Sequence, residues 1–244
     1  MLLEYLKVAK TIDHALLAPD LPAAALEAGL LLARDYGVAS VCILPYYVER
    51  ARDVLSGTGV RVSTTIAFPH GAQATASKAA EAERALGAGA EELDVVSNVS
   101  QALSGNWDYV RADLQAVVET AHASHARVKV IFENGFLQEE HKLRLCELCA
   151  ELKVDWVKTS TGFGPGGATL DDVRLMRRSS PPHVQVKAAG GVRDLDTLLT
   201  FLPFVTRVGT SRTQAILDEC RLRLDLPAIA GRASGAPGAP SGSY

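Results

Sequence analysis

A single (β/α)8 barrel, the TIM-barrel architecture, is the fold this sequence predicts. Eight short runs rich in β-branched and aliphatic residues alternate with longer helical patterns over about 225 residues, the arithmetic of eight βα units. The runs are nearly continuous in apolar residues, as parallel strands buried on both faces should be. The first strand-to-helix turn, in Asp13-His14-Ala15-Leu16-Leu17, offers no Gly-x-Gly-x-x-Gly, which argues against a doubly wound dinucleotide-binding sheet.

The elements follow in order. Met1 to Lys10 reads as an amphipathic helix with charges inside it, not as a secretory signal. Strands are predicted at Thr11–Leu17, Ala39–Leu44, Arg61–Phe68, Glu92–Asn98, Arg127–Glu133, Asp155–Thr161, Val184–Ala189 and Thr206–Gly209. Between and after them, helical periodicity covers Pro22–Tyr36, Tyr47–Ser56, Ala74–Gly87, Trp107–Ala123, Gln138–Leu152, Leu170–Arg178, Asp194–Leu202 and Ser211–Leu224. Asp20 ahead of Pro22, and Ser211 or Thr213 at the last helix, are the expected caps. Residues 1–230 form one predicted domain. Residues 231–244, rich in Ala, Gly, Pro and Ser, read as a flexible tail that ends in Tyr244.

Composition narrows the function classes. The 244-residue chain has a net charge of -3 and a pI near 6.1, with no dense basic run, against a nucleic-acid partner. No apolar run approaches the ~20 residues that span a bilayer, so a cytoplasmic protein is expected. An alanine-rich barrel with few aromatics is compatible with a monomer or with a homodimer through its outer helices. The four cysteines imply no disulfide framework. Cys146 and Cys149 share one helix face, as do His122 and His125, but no second ligand pair accompanies them; core packing outweighs metal binding, and neither metal nor cofactor is expected. There is no Gly-x-Ser-x-Gly elbow. His70 lies at a strand end, where a plain loop role is as good a reading as substrate contact.

The chemistry concentrates on two lysines. Lys158 and Lys187 each end a short apolar strand and each precede a glycine-bearing turn, 29 residues apart, which is one βα unit. Lysine is among the residues least often buried, because its ammonium is costly to desolvate. An amine beside a second cation loses its proton more easily and becomes a nucleophile toward carbonyls. Asp94, opposite in strand phase to Leu93 and Val95, points into the barrel and needs a cationic partner, which the lysines supply. After the last three strands come Gly162-Phe163-Gly164-Pro165-Gly166-Gly167, Gly190-Gly191-Val192-Arg193 and Gly209-Thr210-Ser211. Glycine turns ahead of helices bring backbone N–H groups close to an anion. With Arg193 and Arg212 beside them, they point to a phosphorylated substrate.

Together these motifs resemble the deoxyribose-phosphate aldolases, a family of class I, Schiff-base aldolases. The resemblance runs from about Thr11 to Ser211. It is most specific in Val157-Lys158-Thr159-Ser160-Thr161-Gly162-Phe163 and Val186-Lys187-Ala188-Ala189-Gly190-Gly191-Val192-Arg193, with Glu92-Leu93-Asp94-Val95-Val96-Ser97-Asn98 and Arg207-Val208-Gly209-Thr210-Ser211 in support. It implies reversible, metal-free cleavage of 2-deoxy-D-ribose 5-phosphate to D-glyceraldehyde 3-phosphate and acetaldehyde. It further implies that Lys158 forms the Schiff base, Lys187 keeps Lys158 deprotonated, and Asp94 shuttles protons. Asp13, Cys42 and Thr161 then line the substrate, Gly162, Gly190, Gly191, Arg193, Gly209 and Ser211 hold the phosphate, and Tyr244 assists proton transfer. Four positions depart from the family pattern: Ala18 replaces a lysine, Leu44 stands where Asn or Pro is common, and Arg212-Thr213 follows Ser211 where a second small residue and a glycine are usual. Two other readings stay open on these grounds: a Schiff-base aldolase less dependent on phosphate, and a catalytically silent barrel that binds phosphosugars.

Overall fold

Eight parallel strands close on themselves in sequence order in the computed structural model, which describes residues 4–229. They are β1 Ile12–Leu16, β2 Ser40–Ile43, β3 Arg61–Ile66, β4 Glu92–Val96, β5 Arg127–Ile131, β6 Trp156–Lys158, β7 Gln185–Ala189 and β8 Arg207–Thr210, and β8 pairs back onto β1. The helices are α1 Tyr5–Ala9, α2 Ala23–Tyr36, α3 Val48–Leu55, α4 Thr75–Ala88, α5 Val99–Leu103, α6 Trp107–Ala123, α7 Glu139–Glu151, α8 Leu170–Ser179, α9 Leu195–Phe201 and α10 Thr213–Arg223. The predicted alternation is therefore present, with α5 and two short 3-10 turns, Pro45–Tyr47 and Asn134–Phe136, added to it. No helix among the described residues is long and apolar enough to cross a membrane.

The hydrophobic core lies between the barrel and its helices. Alternate strand residues such as Ile12, Val41, Leu93, Val95, Val128, Val157, Val186 and Val208 face outward and join the helices in one apolar cluster. Each such side chain stabilises the fold by roughly 1.5–3 kcal/mol relative to exposure. The opposite phase fills the barrel interior, and it is polar: Asp13, Ser40, Ser63, Glu92, Asp94, Lys129, Lys158, Lys187 and Arg207 are all buried. The expectation of an apolar interior is thus corrected. In strands this short the apolar run conceals a period-2 pattern in which one phase carries charge.

Several strands end earlier than predicted, because their last residues leave the ladder to build loops. Asn98 accepts from Gln101 N to cap α5. Glu133 turns into the left-handed region at φ 59°. Past Lys158, Thr161 N donates to the Glu133 carboxylate rather than to a strand. The expected caps also differ. Pro22 and Arg212 occupy the N-cap positions of α2 and α10, neither with a side-chain cap. Thr213 instead meets the His14 ring, 2.8 Å from Nδ1.

Candidate active site

The strand register carries the two lysines side by side, Lys158 opposite Lys187 on β6 and β7. Asp94 on β4 aligns with Lys129 on β5. Both catalytic candidates converge on one atom: Lys158 Nζ lies 2.7 Å and Lys187 Nζ 2.9 Å from Asp94 Oδ2. Lys129 Nζ holds the other oxygen, Oδ1, at 2.8 Å, and Ser63 Oγ donates to it at 3.1 Å. Lys187 also reaches Asp13 Oδ2 at 2.5 Å, and Asp13 Oδ1 takes Arg207 Nη1 at 2.5 Å. Beneath them Glu92 binds Lys129 Nζ at 2.6 Å and Arg207 Nη2 at 3.0 Å.

This arrangement separates the lysines. The buried cations Lys129, Lys158, Lys187 and Arg207 share three carboxylates, Asp13, Glu92 and Asp94, and Glu92 also takes Arg127 at 3.0 Å and Arg61 at 3.7 Å from the rim. Lys187 pairs with Asp13 and Asp94, and Lys129 reaches Asp13, Glu92 and Asp94. Lys158 pairs with Asp94 alone. Cations therefore outnumber carboxylates, and Lys158, with a single carboxylate partner, gives up least by losing its proton. Burial and then the Lys187 ammonium accordingly lower the Lys158 pKa, against the opposing pull of Asp94. For Lys187, burial would lower the pKa, but Asp13 and Asp94 outweigh it and the net shift is upward. Asp94 stays far below the usual carboxylate range: burial would raise it, and Lys129, Lys158 and Lys187 together overcome that.

Above the network opens a narrow cavity at the carboxyl ends of the strands, lined by Lys158, Lys187 and Asp13 together with Cys42, Thr161, Gly162, Gly190, Gly209 and Ser211. Nine of the thirteen sequence-nominated residues thus border one space, and Asp94 lies directly below it. Burial pushes the Cys42 thiol up to about 11, so it remains protonated at neutral pH. Gly191 and Arg193 do not line this cavity; both are exposed on the turn before α9. The N-terminus of that helix is already capped by the Asp194 carboxylate, which accepts from Thr197 N at 2.8 Å. Tyr244 lies outside the described residues. His70 is exposed and borders a separate surface groove with Val99 and Phe136. Among the described residues no group of three or more His, Cys, Asp or Glu is placed to hold a metal. Cys146 and Cys149 are buried within the apolar cluster.

Sequence reasoning missed Lys129, Glu92 and Arg207, and it placed Glu133 only among the polar residues at the carboxyl ends of the strands. The first three sit in the charged phase of their strands, in step with Asp94, Lys158 and Lys187, and that alternation was the available signal. For Glu133 the position at the end of a strand was legible but the contact with Thr161, which joins loops 28 residues apart, was not. Its carboxyl is pushed up by burial, against the hydrogen bonds from Thr161 and the charge of Lys158.

The sequence profile of the DeoC/LacD family aldolases matches residues 7–206. The chain belongs to this aldolase family. Among similar curated proteins of the family is the deoxyribose-phosphate aldolase of Rhodopirellula baltica, 58% identical over 236 residues, covering 96% of this chain and 98% of that protein. The deoxyribose-phosphate aldolase of Thermococcus gammatolerans is 44% identical over 217 residues, covering 88% and 96% respectively. Of solved structures, the aldolase QR15 superposes with a TM-score of 0.85 at 37% identity, covering 90% of this chain and 98% of that one. The tetrameric deoxyribose phosphate aldolase of Aeropyrum pernix superposes with a TM-score of 0.82 at 29% identity, covering 88% and 92%.

Proposed function

We propose that this protein reversibly cleaves 2-deoxy-D-ribose 5-phosphate to D-glyceraldehyde 3-phosphate and acetaldehyde through a Schiff base on Lys158. The observation that carries the reading is the unequal charge environment of two buried lysines on one carboxylate oxygen. Neutral Lys158 Nζ attacks the aldehyde carbon C1, and the carbinolamine loses water to give an iminium. A base takes the C3 hydroxyl proton, the C2–C3 bond breaks, and its electron pair enters the iminium to form an enamine. Protonation at C2 and hydrolysis release acetaldehyde and regenerate the amine. Asp94 Oδ2, 2.7 Å from Lys158 Nζ and 2.9 Å from Lys187 Nζ, joins the two amines in the proton relay for carbinolamine formation and breakdown. Burial and the Lys187 ammonium lower the Lys158 pKa, which raises the fraction of neutral amine at a given pH.

The phosphate is best accommodated over Gly162, Gly190, Gly209 and Ser211, near the start of α10, whose first turn has no side-chain cap. Gly191 and Arg193 remain candidates only through movement of their turn. Because the α9 end carries Asp194, reduced dependence on phosphate is the second reading; comparing turnover of deoxyribose 5-phosphate with deoxyribose tests it, and equal rates favour it. The reading further carries a cytoplasmic protein and a homodimer, the latter checked by sedimentation velocity, where a monomer at micromolar concentration overturns it.

Borohydride trapping with acetaldehyde, followed by peptide mass spectrometry, tests the chemistry. A reductively ethylated Lys158 is expected in the unmodified protein and its loss in Lys158→Ala. A protein that forms no adduct at any lysine is not a Schiff-base enzyme but a silent binder.

A further inference from the structure

Thr161 lines the cavity beside Lys158, and its hydroxyl has a fixed polarity. Its Oγ1 donates to Glu133 Oε2 in a short hydrogen bond. The same Oγ1 accepts from Phe163 N at 3.0 Å. A threonine hydroxyl has one proton and two lone pairs. With the proton given to Glu133 and one lone pair taken by Phe163, one lone pair is left for a ligand. A carboxylate has no proton to donate, so it enforces this direction where an amide or a second hydroxyl would permit either.

Glu133 is built into its place. Its backbone lies in the left-handed region at φ 59°. The flanking amides of Phe132 and Asn134 donate to Lys158 O and Thr159 O, both at 2.9 Å, which ties the turn to the strand that carries Lys158. Both of its carboxylate oxygens take the Thr161 amide, at 3.3 and 3.2 Å. Gly164 gives the carboxyl its room, since a Cβ there would come within 2.7 Å of Glu133 Cδ. Among the described residues Glu133 forms no ion pair, so its position is not explained by charge pairing in the lysine network.

We infer that Glu133 is a positioning residue that makes Thr161 an obligatory hydrogen-bond acceptor for the C4 hydroxyl of the sugar. This rests on the proposed aldol reaction. The C3 oxygen gains negative charge when C2–C3 breaks or forms, and it needs a donor; Thr161, its proton committed, cannot serve it. The neighbouring C4 hydroxyl keeps its proton throughout and has one to give. In the synthetic direction that group is the α-hydroxyl of the acceptor aldehyde.

The test is discrimination between two phosphorylated acceptors, glyceraldehyde 3-phosphate and 3-phosphooxypropanal, which lacks the α-hydroxyl. We expect the unmodified protein to prefer the hydroxylated acceptor in kcat/KM by roughly tenfold, the order of one neutral hydrogen bond. Thr161→Val and Glu133→Leu each bring the ratio toward one, Thr161→Ser keeps it, and Glu133→Gln gives a ratio below that of the unmodified protein. The double variant Glu133→Leu/Thr161→Val loses no more discrimination than Thr161→Val alone. Should Glu133→Leu fail to fold, Glu133→Gln alone and with Thr161→Val decides. Glutamate variants that slow both acceptors equally, leaving the ratio at its original value, overturn the inference. Acetaldehyde trapping on Lys158, which involves no hydroxyl, runs alongside: its absence from the unmodified protein refutes the aldolase reading, whereas trapping with an unchanged ratio refutes only the role of Glu133.

Discussion

Lys158 and Lys187 differ by how many carboxylates each can reach, and their pKa values move in opposite directions accordingly. Lys187→Leu removes an ammonium that lowers the Lys158 pKa and frees Asp13 and Asp94 to act more strongly on it. Both effects raise the Lys158 pKa, so the pH profile of acetaldehyde adduct formation is expected to move to higher pH, while circular dichroism keeps the native signal. A profile unchanged or moved to lower pH contradicts the effect of the Lys187 charge on Lys158. The same reasoning separates Lys158 from Lys129 in stability. Lys158 has the fewest carboxylate partners of the buried lysines in the network, and a folded-state pKa below the unfolded value destabilises the fold wherever the unfolded lysine is protonated. Lys158→Met is therefore expected to cost within about 1 kcal/mol, whereas Lys129→Met leaves Glu92 and Asp94 short of a partner and costs about 3–5 kcal/mol. Urea unfolding of the two variants checks the order, and equal losses would remove the distinction. Lys158 and Lys187 were legible as chemistry from their strand-end positions and glycine turns. Lys129 was hidden mid-strand, where a lysine ordinarily reads as a solvent-facing residue until the barrel closes over it.

At the scale of elements, the loops after β6 and β7 form one wall of the cavity. Ala168 N donates to Gly190 O at 3.0 Å, and Gly190 adopts φ 87°. A Cβ on Gly167 would meet Gly190 O at 2.4 Å, a contact with backbone that must be relieved by moving the turn. Gly167→Ala is expected to raise KM for deoxyribose 5-phosphate several-fold while Lys158 still traps acetaldehyde, because the displaced turn lies where the phosphate is proposed to bind. An unchanged KM would take the Gly190 turn out of phosphate binding. The glycines of these turns were visible in the sequence, yet their division of labour was not. Gly190 borders the cavity, while Gly191 and Arg193 face outward, since Asp194 turns the chain into α9 and caps it.

For the whole molecule, an outer apolar layer supports an inner charged plug. Acid should expose that design. Asp13 and Asp94 have folded-state pKa values below the unfolded one of about 3.9, so their stabilisation is complete above it and declines as pH falls toward the folded values. Tm should hold nearly constant from pH 7 to 5 and drop steeply below about pH 4. A progressive loss already between pH 7 and 5 would place the acid-sensitive groups elsewhere. By itself the sequence determined the eight βα units and their order, and it placed two lysines at neighbouring strand ends, because periodicity and strand-to-helix alternation are properties of contiguous residues. Only the tertiary structure decided which lysine has fewer carboxylate partners and that the barrel interior is ionic. Those properties depend on the sum of charges brought together from β1, β4, β5, β6, β7 and β8. That sum exists only when the barrel closes and shields its contents from water.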